Sequence, residues 1–263
     1  MTRWRFKFSD ILSILARFKS KPPIVDRPPA PEPESPAFKI AWVDMREHKR
    51  TKSRGRSKGQ RSWQEVLGVT LHQTAVVIGS PDRCLNMPVH GAVLDDGEGG
   101  AIVVLLHDPT ALLWHGHGFN THDIGIEIAC RACGIEGDPR TLWLPKKYKA
   151  LEGDDRLAKG TEATDAQLEG ARLLLRYYDD LVIENGGQIQ FIHAHRQATK
   201  NRVSDPGSRI WAAVGEWAAS ALCWSVGPAD FQISHGKPLP DAWTGRANGI
   251  EYNWRVDGRL DPG

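Results

Sequence analysis

Three residues in this chain could share one metal ion as two imidazoles and a carboxylate. His72 follows the apolar segment Leu67 to Leu71 (LGVTL), His195 follows Ile189 to His193 (IQFIH), and Asp205 opens an Asp-Pro-Gly turn. A catalytic zinc ion takes about three protein ligands of these types and keeps one position for water. Taken singly, each of the 10 histidines is as readily a satisfied structural or surface group. His193 competes with His195, because both lie in HAH and a strand aims alternate residues at one face. Glu127, in IGIEI, is a carboxylate that could move a proton or form a structural ion pair. Cys130 and Cys133 make a single CxxC, which without a second pair reads as two thiols rather than a structural zinc site.

Positioning these groups needs strands that end near one another. Short apolar runs predict strands at Leu67 to Leu71, Ala101 to Leu106 (AIVVLL), Ile124 to Ile128 and Ile189 to His193. A helix should follow Thr164, which forms a capping box with Gln167. Its apolar face is Leu168, Ala171, Leu174, Leu175, Tyr178, Leu181 and Val182, and Gly186 lies just past its end. A second helix is expected over Ser208 to Cys223, and a polar surface excursion from Glu136 to Gly160. Strands mixed with helices predict a layered α/β domain, a central mixed β-sheet flanked by helices, with ligand groups at strand ends converging on one edge.

The residues around the candidates carry a further signal. LHQTA at Leu71 to Ala75, WHGHGFNTHDIGIEI at Trp114 to Ile128 and HRQATKNRVSDPG at His195 to Gly207 follow one another in order. Together they resemble the motifs of the zinc-dependent N-acetylmuramoyl-L-alanine amidases, a family that shares its fold with peptidoglycan recognition proteins and amidase-type phage lysozymes. The resemblance runs from about Trp63 to Trp211. It implies His72, His195 and Asp205 as zinc ligands, Glu127 as the acid–base group, and His115 and Asn120 as residues lining a substrate groove. The implied activity is hydrolysis of the amide between N-acetylmuramic acid and L-alanine, with peptidoglycan or muropeptides as substrate. Zinc can bring the pKa of water down to ~7, and a nearby carboxylate can then carry its proton. Members with this His-to-Asp spacing often carry lysine two residues before the aspartate. Val203 stands there in this chain, so either zinc itself polarises the attacked carbonyl sufficiently, or Arg202 or Arg196 stabilises charge on its oxygen, or activity is low. The alternative reading is a recognition module that binds peptidoglycan without cutting it.

The net charge of +2 hides an asymmetry: residues 1–61 carry 16 Lys/Arg against 6 Asp/Glu, and the remainder 18 against 26. Residues 1–21 read as a basic amphipathic segment, with Trp4, Phe8, Ile11, Leu12, Leu15 and Phe18 at helical spacing. Residues 22–61 read as a Pro-rich linker followed by a solvated basic loop, 62–225 as the catalytic domain and 226–263 as an irregular C-terminal extension. The basic arm suits an anionic envelope surface, while no motif points to specific nucleic-acid recognition. Asp10 and Arg17 cut the apolar run Ile11 to Ala16 below the length of a secretory core, so a cleaved signal peptide is not expected. The expectation is a monomer made in the cytoplasm that reaches the wall or periplasm by another route, such as phage-type release.

Overall fold

In the computed structural model, residues 38–48 and 57–243 are described. The predicted amphipathic segment 1–21, the Pro-rich linker 22–36, residues 49–56 of the basic run and the last 20 residues lie outside them. The strands are β1 (Ile40–Asp44), β2 (Ser57–Gln60), β3 (Gly68–Gln73), β4 (Gly91–Asp95), β5 (Ala101–Leu105), β6 (Ala111–Leu113), β7 (Asp123–Ile128) and β8 (Phe191–Ala194). The helices are α1 (Gly153–Leu157), α2 (Asp165–Glu184) and α3, which joins Ser208–Ile210, a π-helical turn Trp211–Gly215, and Glu216–Ala221. Six strands form one mixed sheet in the order β1-β5-β4-β7-β3-β8, in which only β4 and β5 pair antiparallel. β2 and β6 make a separate antiparallel pair.

Alternation along the central strands divides the sheet into two unlike faces. Val69, Leu71, Ile124, Ile126, Ile128 and Ile192 point to one face and pack with Leu168, Leu174, Leu175, Tyr178 and Val182 of α2 and Val214 and Trp217 of α3. The capping box that starts α2 is formed as the sequence predicts, with Gln167 N–H donating to Thr164 Oγ1 at 3.2 Å. The opposite face carries Thr70, His72, Asp123, Gly125, Glu127 and His193 on β3, β7 and β8. Toward β4 and β5 it becomes apolar, where Ala92, Leu94 and Val104 pack with Ile78, Cys84, Val89 and Leu106.

Two boundaries are corrected. β1 pairs in parallel with β5 over Ile40 to Asp44, so the sheet begins inside the segment read as linker and loop. Arg61, the last residue of the basic run, is buried rather than solvated. Its Nε and Nη2 donate to the Pro109 carbonyl at 3.0 and 2.8 Å, and Nη2 also reaches the Asp123 carbonyl at 3.0 Å. The described part of the C-terminal extension, residues 226–243, folds back onto the domain: Trp243 is fully buried and lies under the Arg196 guanidinium, 4.8 Å from the ring centre.

Candidate metal centre

The parallel register between β3 and β7 sets His72 directly beside Glu127. β3 also pairs in parallel with β8, which brings the chain out at Ala194 and into the 3-10 turn His195–Gln197. Gln197 Oε1 accepts from the Ala194 amide at 2.8 Å and fixes that turn. Asp205 arrives from the following loop: the Gln73 amide of β3 donates to its Oδ1 at 2.9 Å, and the Arg196 amide donates to its carbonyl at 3.0 Å. Gln73 anchors the same loop through its side chain, donating to the Ser204 and Ala132 carbonyls at 2.8 and 3.1 Å and accepting from the Ala132 amide at 2.7 Å.

His72, His195 and Asp205 are all buried and converge. His72 Nδ1 lies 2.8 Å from His195 Nδ1, which lies 2.9 Å from Asp205 Oδ2. Ligand atoms on a tetrahedral zinc stand roughly 3.3 Å apart, given metal–ligand distances of ~2.0–2.1 Å, so these two spacings fall within about half an ångström of such a set, and all three ligand atoms lie within 4.8 Å of one another. Among the described residues this is the one His/Cys/Asp/Glu group close enough to hold a metal. Burial, with the neighbouring histidine charges, pushes the His72 pKa well below its ordinary value, which keeps the ring neutral as a ligand must be. Two buried polar atoms around the cluster, Glu127 Oε2 and His195 Nε2, have no hydrogen-bond partner. The donor set, the neutral His72 ring and the unpartnered Glu127 oxygen beside it fit a zinc ion.

Glu127 is half-buried as a residue, but Oε2 is shut off from solvent. Burial first, and the Asp205 charge second, raise its pKa well above the ordinary carboxyl value, with the Arg202 charge opposing. That environment favours the protonated carboxyl over the carboxylate. Arg202 sits exposed on the 3-10 turn Lys200–Arg202, not on an extended segment, and its charge is felt at His72, Glu127 and His117. Arg196 is engaged elsewhere: Nε donates to the Pro238 carbonyl and Nη1 to that of Val203, and burial lowers its pKa to about 10. Val203 is 40% exposed.

The other sequence candidates fall in different places. His193 points to the same sheet face but joins Asp123, with its Nδ1 2.7 Å from Oδ2, and stacks on Phe119 with ring centres 4.2 Å apart. His115 and Asn120, read as groove-lining, both lie buried with polar atoms turned inward. Asn120 Oδ1 accepts from the His115 and Gly116 amides at 2.8 and 2.7 Å, and the His115 ring bridges His72 and the Asp123 carbonyl. Cys130 and Cys133 are free, buried thiols outside the cluster, their pKa values raised chiefly by burial. Sequence reasoning passed over Asp123 and Gln73. Asp123 could have been found from alternation, since it stands two and four residues before Gly125 and Glu127 on the same face.

No protein family profile and no curated protein sequence matches this chain. Among solved structures it is similar to the N-acetylmuramoyl-L-alanine amidase LysC from Clostridium intestinale, at 15% identity and TM-score 0.40 over 69% of this chain and 99% of that one. It is also similar to the Ph2119 endolysin from Thermus scotoductus bacteriophage Ph2119, at 19% identity and TM-score 0.39 over 66% and 97%. Drosophila PGRP-LB shows a similar likeness, at 15% identity and TM-score 0.39 over 77% and 99%. These are likenesses of fold.

Proposed function

We propose that this chain is a zinc-dependent hydrolase of the amide bond between N-acetylmuramic acid and L-alanine in peptidoglycan. The observation that carries the reading is the convergence of His72, His195 and Asp205 beside a carboxyl, Glu127, whose Oε2 is buried and unpartnered. The three sequence motifs support the substrate. His72, His195 and Asp205 would hold the ion, which when bound supplies Lewis-acid polarisation of the carbonyl and acidifies water. Glu127 takes the proton of the attacking water and returns it to the departing L-alanine nitrogen, a transfer its raised pKa suits. Arg202, exposed and close enough for its charge to act on Glu127, stabilises negative charge on the attacked carbonyl oxygen in place of the lysine that Val203 replaces.

The test is direct. Zinc-loaded protein should release new L-alanine amino termini from purified sacculi, and Glu127→Gln should release them at least ~100-fold more slowly. Absence of release, or an unaffected variant, refutes the reading. A second reading, a peptidoglycan-binding module without hydrolysis, is favoured by Val203 at the lysine position. Sacculus pull-down without product would then be the outcome, and a stoichiometric zinc removable by chelator would argue against it.

A further inference from the structure

We infer that His115, held by the backbone carbonyl of Asp123, is a positioning residue that selects Nδ1 of His72 as its metal-binding atom. The inference rests on the reading of the cluster as a metal site and adds the device that orients it.

A backbone carbonyl only accepts, and the Asp123 carbonyl lies 3.1 Å from His115 Nε2, so that nitrogen carries the proton. A neutral His115 then presents a lone pair at Nδ1. His72 Nε2 lies 3.1 Å from it and must donate. With its proton on Nε2, neutral His72 has a bare lone pair at Nδ1, the atom that faces His195 Nδ1 at 2.8 Å. The opposite tautomer would set two lone pairs against each other between His72 and His115. Ligating imidazoles generally donate their other N–H to such a partner, which fixes ring orientation and ligand basicity.

The surroundings hold this arrangement in place. A Cβ at Gly125 would lie 2.6 Å from His115 Cγ and Nδ1, so the ring occupies space that only glycine leaves open. The Asn120 carbonyl oxygen fixes the His115 backbone through its amide. Asp123 is itself pinned: Thr70 Oγ1 donates to its Oδ2 at 2.7 Å, and His193 Nδ1 lies 2.7 Å from the same oxygen. Arg61 adds a second donor to the Asp123 carbonyl.

Zinc affinity, measured on the full chain by competition with a chromophoric chelator, tests the relay. His115→Phe keeps the ring shape but neither hydrogen bond, and should bind zinc roughly 10–100-fold more weakly. His115→Gln can accept from His72 through Oε1 and donate to the Asp123 carbonyl through Nε2, and should stay within about threefold of the parent, a rescue that mere space-filling would not produce. Unchanged affinity in the Phe variant, or equal weakening in both, overturns the inference. If either variant fails to fold, nitrogen-15 NMR of metal-free parent protein decides: His72 should carry its proton on Nε2, and a proton on Nδ1 overturns the inference. Neither readout depends on peptidoglycan hydrolysis. A chain that binds zinc through this relay but cuts nothing refutes the proposed activity and leaves the relay standing.

Discussion

Gly125→Ala is the smallest change that should disturb the candidate centre without touching a ligand. The added methyl carbon would sit 2.6 Å from His115 Cγ and Nδ1. Ordinary carbon contacts begin near ~3.5 Å, so the ring must retreat by roughly 0.9 Å. A ring displaced that far cannot keep both of its 3.1 Å bonds, to His72 Nε2 and to the Asp123 carbonyl. Overpacking at a buried site costs ~1–3 kcal/mol, and each lost hydrogen bond about 1 kcal/mol. The expected destabilisation of the metal-free protein is therefore ~2–4 kcal/mol, a fall in Tm on the order of 5–15 °C for a domain of this size. Zinc affinity should drop by roughly 10–100-fold as His72 loses its orienting partner. Thermal melts of metal-free protein and chelator competition measure the two effects separately. Gly79→Ala is the control, because a Cβ there meets nothing within 4 Å. A Gly125→Ala protein that melts and binds zinc like the parent would refute the packing argument and the orienting role together.

Further outcomes follow from the same structure. Glu127→Gln should raise the stability of metal-free protein at neutral pH while lowering hydrolysis. The folded-state pKa of Glu127 is raised by burial and by Asp205, so its favourable contribution is full below about pH 4.3 and is lost as pH rises through the folded value. Urea midpoints of both proteins across pH should converge at the acid end. His72, His90 and His115 have the opposite sign: burial depresses each, His115 to about 4, so the stability they contribute is present above about pH 6.5 and falls as pH drops below it. Each can contribute up to ~1.4 kcal/mol per pH unit in the metal-free protein, and a flat urea midpoint between pH 7 and the acid limb would contradict their burial as neutral rings. Trp243→Ala should cost ~3–5 kcal/mol by thermal or denaturant unfolding, whereas a dispensable extension would lose nothing.

Much of this fold was legible because local signals agree with the tertiary outcome. Thr164, Gln167 and the apolar positions after them specify α2, and the runs at Val69, Val103, Ile126 and Ile192 specify four of the six strands of the sheet. β1 was not legible: it lies between a proline-rich stretch and a basic run, and most of its residues remain half or fully exposed at the sheet edge. β4 was overlooked although Asp95 to Gly100 carries a turn signature, realised as Asp96 Oδ1 accepting from the Glu98 and Gly100 amides. At the site, ligand types could be read from sequence, but the roles of His115, Asp123 and Gln73 could not. Each depends on a partner brought beside it by parallel register or loop return, and such pairing leaves no periodic trace.

Register also explains why chemistry belongs on this face. All of β3 is buried, so Thr70, His72 and Gln73 cannot be left to solvent. Each has found a partner on a neighbouring segment: Thr70 on Asp123, His72 on His115, Gln73 on Ala132 and Ser204. A slip of β3 by one residue would turn His72 toward the α2 side and send Leu71 into the polar network, so the apolar core fixes the register that the polar face needs. Around the cluster, satisfaction stops at Glu127 Oε2 and His195 Nε2. A buried carboxyl oxygen left unpartnered beside a satisfied network is costly to the fold and is placed to meet a group from outside the chain.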